Sequence, residues 1–294
     1  MAPYLATINI GYWDFREWET NGIPMHDAVD SAITGPLREQ IDASLARQGE
    51  VLDLLESYFG RYPFETVGGI VDNQDDLYFA LETQTRPVYS KLFWTDGEGN
   101  AVNGDVIVVH ELAHQWFGND VVLARWQDIW LNEGFATYAE WLWAEHEGLA
   151  TPQEIFDNIY TTPADNPDFG DAFWDVRIGN PGVDSMFDLA VYYRGAMTLH
   201  ALRNEVGEAD FRAIVRTWAR SRAGQNVTTE QFIAHAESVS GQQLDELFDA
   251  WLFTAGRPEL PAAAGGEAEA GALQARRSGT VEVPGLGRRP HAHP

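Results

Sequence analysis

Two histidines four residues apart, with a glutamate beside the first, constrain this chain more than any other feature: His110-Glu111-Leu112-Ala113-His114. On an α-helix, residues i and i+4 differ by about 40° around the axis and lie one turn apart along it. Both imidazoles then leave the same face and can meet at one point, as two ligands of a tetrahedral ion do. Glu111 on the same turn reaches a water on that ion but not comfortably the ion itself. A third protein ligand is needed, and the chain has no cysteine to supply it. The stretch Trp130-Leu131-Asn132-Glu133-Gly134-Phe135-Ala136 offers Glu133, with eighteen residues between it and His114. That is enough chain to finish one helix, turn across residues 120–125 and return antiparallel. Trp126, Trp130, Leu131 and Phe135 imply that Glu133 is buried, and a buried carboxylate wants a cation. The expected centre is one Zn2+ on His110, His114 and Glu133, with Glu111 as catalytic base.

Composition narrows the partners. The net charge is -26, from 45 acidic against 19 basic residues. Phosphate backbones and anionic membrane surfaces would be repelled, so neither nucleic acid nor a membrane is an expected partner. The absence of cysteine excludes disulfides, thiolate ligands and cysteine nucleophiles. No apolar run reaches membrane-spanning length. The first residues lack a basic n-region and an apolar h-region, which favours a cytoplasmic location.

Periodicity predicts a strand over 4–12, an amphipathic helix over 37–59 and short strands over 66–71 and 77–81. Residues 94–105 read as a loop rich in Gly, Asp and Asn. Helices are expected over 106–118, 127–147 and 151–160, then a long loop over a cleft at 161–184. Further helices are expected over 190–206, 209–222, 229–238 and 243–253, with Thr228 or Thr229 as a cap. Beyond Arg257 the Ala, Gly and Pro content reads as a disordered tail over 258–294.

His110-Glu111-Leu112-Ala113-His114-Gln115-Trp116-Phe117-Gly118-Asn119, followed by Trp130-Leu131-Asn132-Glu133-Gly134-Phe135-Ala136-Thr137-Tyr138, resembles the gluzincin zinc aminopeptidases, the family of aminopeptidase N and leukotriene hydrolase. The resemblance implies an α+β, mostly helical, thermolysin-like catalytic domain over 14–257, helical from about 190. It makes 1–13 the last strand of an N-terminal β domain that is otherwise missing. It also implies hydrolysis of the first peptide bond of peptides with a free N-terminus. Phe79-Ala80-Leu81-Glu82-Thr83 stands where the family carries Gly-Ala-Met-Glu-Asn and keeps only its Ala and Glu. By resemblance, Glu82 binds the substrate's α-amino group. Val191-Tyr192-Tyr193-Arg194-Gly195-Ala196 resembles the family's Val-Tyr-Glu-Lys-Gly-Ala, which gives Tyr192 the oxyanion and leaves Tyr193 facing elsewhere. Glu140, two helical turns past Glu133, shares its face and is placed to accept a hydrogen bond from a ligand histidine. A zinc endopeptidase, another hydrolase on the same site, and a truncated inactive relative are the competing readings. Oligomeric state and the preferred N-terminal residue are not legible.

Overall fold

A tight turn starts the fold. Asn21 and Gly22 both take positive φ, 52° and 77°, the conformation a two-residue hairpin demands. They join β1 (Trp13–Thr20) to β2 (Ile23–Asp30) with Trp13 opposite Asp30 and Thr20 opposite Ile23. With β3 (Ile70–Asp72), β4 (Ala80–Leu81) and β5 (Val88–Ser90), these strands form one sheet ordered β1-β2-β3-β5-β4. β3 runs parallel to both β2 and β5, and β4 closes the far edge antiparallel to β5. The computed structural model describes residues 2–95 and 100–260. All but the first three residues of the tail expected over 258–294 lie outside them.

The strand expected over 4–12 is absent. Pro3–Leu5 forms a single 3-10 turn, and residues 6–12 pair with no strand among the described residues. Alternation alone does not make a strand without a ladder partner, and Ile8, Ile10 and Tyr12 stay exposed.

The helix expected over 37–59 is two, α1 (Gly35–Ala46) and α2 (Gln48–Phe59). The break is hydrogen-bonded. Buried Gln48 donates from Nε2 to the Leu45 carbonyl, 2.9 Å, and to Asp27 Oδ1, 2.9 Å. It thereby takes a carbonyl that an unbroken helix would use internally. α3 (Asn100–Ala113) starts inside the stretch expected as a loop over 94–105 and stops short of residue 118. α4 (Trp130–His146) is buried from Trp130 through Ala144, so it is the spine of the core. A 3-10 turn at Trp126–Asp128 stands where the expected helix over 127–147 begins.

α5 (Pro152–Tyr160) is capped reciprocally by Thr151 and Glu154. Within the expected loop over 161–184 lies a short helix, α6 (Asp171–Asp175), which buries Phe173 and Trp174. α7 (Leu189–Val206), α8 (Glu208–Arg222) and α9 (Thr229–Ser240) follow as expected, α9 with Thr228 and Gln231 as its capping pair. α10 (Asp245–Phe248) runs into a π-turn at Asp249–Phe253. A parallel pair, β6 (Val122–Leu123) with β7 (Asn226–Val227), ties the chain after α3 to the chain before α9. No helix among the described residues is long and apolar enough to cross a membrane.

Two contacts fix α7. It crosses α4 backbone against backbone: a Cβ built on Gly134 would sit 2.9 Å from Gly195 Cα, and one built on Gly195 would sit 2.8 Å from Gly134 Cα. Arg194, fully buried, faces no carboxylate at bonding distance among the described residues. It donates to the carbonyls of Trp251, Trp174, Val176, Ala250 and Thr254. Burial pulls the guanidinium's pKa down to about 10, and it stays charged at neutral pH.

Candidate metal centre and cleft

α3 supplies His110 and Glu111 from its last turn. His114 falls one residue past its end but keeps the helical bond, its N–H donating to the His110 carbonyl at 3.2 Å. The two imidazoles therefore stay on one face. Their Nε2 atoms are 3.1 Å apart. Glu133, on the first turn of α4, brings Oε2 to 3.3 Å from each. All three side chains are buried.

These atoms form a triangle with edges of 3.1 to 3.3 Å. Ligand atoms about 2.0–2.1 Å from a tetrahedral zinc ion are about 3.3–3.4 Å from one another. The donor set thus has the size and chemistry that zinc requires. The outer ring nitrogens are engaged too. His110 Nδ1 lies 2.6 Å from Glu140 Oε1, and His114 Nδ1 lies 3.0 Å from the Phe117 carbonyl. A carbonyl can only accept, so Nδ1 of His114 carries a proton, and Nε2 is the nitrogen left to a cation, which would displace the proton that Nε2 otherwise holds.

The chamber is rich in negative charge. Burial pulls the His114 imidazole's pKa down, but Glu133, Glu82 and Glu111 outweigh it and hold the value up at about 10. Burial pushes Glu133 up, yet the two histidines hold it well below the usual carboxylate range. Four buried carboxylates, Glu82, Glu111, Glu133 and Glu140, around two imidazoles make a site that calls for a cation. Glu111 differs from Glu133. Burial, with help from Glu82 and Glu133, pushes its carboxyl up to about 7 against the pull of both histidines. A carboxylate with a pKa near neutrality suits proton transfer.

Glu82 follows β4 directly and is buried. Its backbone carbonyl accepts from Asn119 Nδ2 at 2.7 Å and Gln115 Nε2 at 3.3 Å. Gln115 Oε1 in turn accepts from the Thr85 N–H at 2.8 Å. The residues just after the histidine pair therefore grip the strand that carries Glu82. Tyr192, near the start of α7, lays its ring over that of His110 with centroids 6.1 Å apart and planes at 25°. Tyr193 points the other way, edge-on to Phe169 at 5.3 Å. The structure thus gathers His110, His114, Glu133, Glu111, Glu140, Glu82 and Tyr192 around one chamber.

Three neighbours escaped the sequence reading. The roles of Gln115 and Asn119 are invisible in helical spacing because the chain leaves α3 between Ala113 and Asn119. The third is Tyr4, whose hydroxyl donates to Glu82 Oε1 at 2.8 Å across 78 residues of sequence. Asp128 accepts from the Thr229 backbone N–H and hydroxyl at 3.1 and 2.7 Å, which pins the start of α9. The other cluster of metal-binding residue types among the described residues, Glu50, His146 and Glu147, is exposed, and Arg47 already engages both of its carboxylates.

Comparison with known families matches residues 45–251 to the peptidase family M1 domain. Among curated proteins, the chain is similar to aminopeptidase M1 of Arabidopsis thaliana, 27% identical over 275 residues, which cover 89% of this chain and 30% of that protein. It is also similar to the glutamyl aminopeptidase of Bos taurus, 32% identical over 158 residues, 52% of this chain and 16% of that one. The chain therefore spans about a third or less of the length of these relatives. Among solved structures, an M1 zinc metallopeptidase from Deinococcus radiodurans superposes with a TM-score of 0.70 at 27% identity, covering 87% of this chain and 55% of that one. A mutant of the Deinococcus radiodurans enzyme was solved bound to a Tyr-Ser-Ala substrate; it has a TM-score of 0.66 at 28% identity and covers 85% of this chain and 54% of that one. With a family match that covers most of the chain, and a mostly helical fold shared with M1 zinc metallopeptidases, this chain belongs to the peptidase M1 family.

Proposed function

We propose that this chain is the zinc-dependent catalytic part of an aminopeptidase, which hydrolyses the peptide bond next to a free N-terminus. The observation that carries the reading is a buried carboxylate, Glu82, in the same chamber as the His110, His114 and Glu133 triangle. A carboxylate facing an ammonium at a fixed distance from the metal admits a substrate by its end.

One zinc ion held by the triangle supplies a Lewis acid that acidifies water and polarises a carbonyl. The rest of the work falls to the chain. Glu111 accepts the proton of the attacking water and hands it to the leaving amine. The Tyr192 hydroxyl donates to the oxyanion that develops on the scissile carbonyl. Glu140 and the Phe117 carbonyl hold the two imidazoles in the orientation in which Nε2 is the free base. Glu82 fixes the α-ammonium, so that only the first peptide bond reaches Glu111.

Two measurements test these roles. A free dipeptide should be cleaved and its N-acetylated form should not. Glu82→Gln should raise KM for the free peptide by about tenfold or more, the value of a hydrogen bond to a charged group. Equal cleavage of the free and blocked peptides would replace the aminopeptidase with an endopeptidase on the same metal centre. Tyr192→Phe keeps the ring that packs on His110 and removes only the donor. It should lower kcat by about 10²–10³-fold, the worth of one oxyanion donor, with KM little changed. A kcat within a factor of about two of wild type would remove Tyr192 from the reaction.

A further inference from the structure

The short turn at Pro3–Leu5 does more than lead into the sheet. It is anchored on both sides of Tyr4: Leu5 is buried, its carbonyl accepts from the Gln84 N–H at 3.4 Å, and the Tyr4 ring packs on Trp126 with centroids 5.4 Å apart. From this fixed position the Tyr4 hydroxyl donates to Glu82 Oε1 at 2.8 Å. The Tyr4 bond engages Oε1 and leaves the other carboxylate oxygen, Oε2, to a different partner. Asn119 and Gln115 hold the Glu82 backbone, but neither touches its carboxylate.

We propose that Tyr4 is a positioning residue for the substrate's amino terminus: its hydroxyl fixes the Glu82 carboxylate through Oε1 so that Oε2 is presented to the incoming ammonium. This rests on the reading of Glu82 as the amine anchor. A free glutamate side chain rotates about three bonds, and holding it in one geometry for a ligand costs rotamer entropy at the moment of binding. One bond from a rigid phenol removes that cost beforehand. The phenol is suited to the task because it stays a donor. Burial first, then the negative charge of Glu82, Glu133 and Glu111, push its pKa far above the ordinary value for tyrosine, so it does not ionise at any working pH. The residue belongs to a segment that sequence places 78 positions from Glu82 and more than 100 before the metal triangle. Amine recognition in this chain is therefore shared between the sheet edge and the segment that precedes β1.

The test is a double-mutant cycle on the full chain, with Tyr4→Phe, Glu82→Gln and the pair, read as KM and kcat for a free dipeptide. Tyr4→Phe retains the ring on Trp126 and deletes the hydroxyl alone. The expected result is a rise in KM of about tenfold with kcat within about twofold, and no further rise when Tyr4→Phe is added to Glu82→Gln. A purely structural role would give a loss that persists undiminished beside Glu82→Gln, or one that falls on kcat, and either result overturns the proposal. A lower KM in Tyr4→Phe also overturns it, because the phenol would then be competing with the substrate for the carboxylate. If Glu82→Gln raises KM and Tyr4→Phe does not, this inference fails and the amine anchor stands. If Glu82→Gln leaves KM unchanged, the anchor itself fails and Tyr4 has nothing to position.

Discussion

Glu111→Gln retains the metal and loses turnover: zinc content stays at the wild-type level per mole of protein, and kcat falls by about 10²–10⁴-fold, the usual worth of a positioned general base. The amide matches the carboxylate in size and can still hydrogen-bond, so the buried chamber is not emptied or collapsed. What it cannot do is take a proton. Glu111 is not one of the three triangle ligands, so elemental analysis should show no loss. The chemistry should fail because a carboxylate whose pKa burial has pushed up to about 7 is replaced by a group with no basicity. Hydrolysis of an aminoacyl anilide at the wild-type rate would rule Glu111 out as the base. Loss of zinc would instead make it a ligand.

Glu133→Ala has the opposite signature. It removes one corner of a triangle whose edges are 3.1 to 3.3 Å and leaves two buried imidazoles 3.1 Å apart. Two neutral ligands do not hold zinc in competition with water, so the purified variant should contain little metal and show no activity that added zinc restores. Glu140→Gln is the graded companion. It keeps the triangle and weakens only the partner that lies 2.6 Å from His110 Nδ1. Zinc affinity should fall by about 10–100-fold, and activity should return when zinc is raised. Titration against a competing chelator separates the two. Equal zinc affinities for Glu133→Ala and wild type would move the metal site elsewhere.

The triangle was legible because helices are regular. A spacing of four puts His110 and His114 on one face, and a spacing of seven puts Glu140 on the face of Glu133, without any knowledge of the rest of the chain. The helical C-terminal half was legible for the same reason, with caps such as Thr228 and Gln231 marking its boundaries. The β1–β2 hairpin went unread although Asn21-Gly22 is its signal, because the strands around that turn carry charge on both faces and show little alternation. The break at Arg47 was hidden because Gln48 ends α1 through a tertiary bond to Asp27, which periodicity does not record. Residues 4–12 misled in the other direction: they alternate as a strand does but have no partner strand. Arg194 stood in a recognisable motif, yet its use as a clasp on five carbonyls depends on a loop and a C-terminal turn that meet only in three dimensions.

The crossing of α4 and α7 at Gly134 and Gly195 bears on how such a cleft can change over generations. Glu133 immediately precedes one glycine, and Tyr192 lies three residues before the other. The main chains already touch, so even a methyl group at either point forces the helices apart. The gap between the acidic metal ligand and the phenol is therefore written in backbone, not in any side chain that drift could trade for another. Substitution elsewhere can reshape the surroundings of these two residues, while their spacing keeps an inherited ruler.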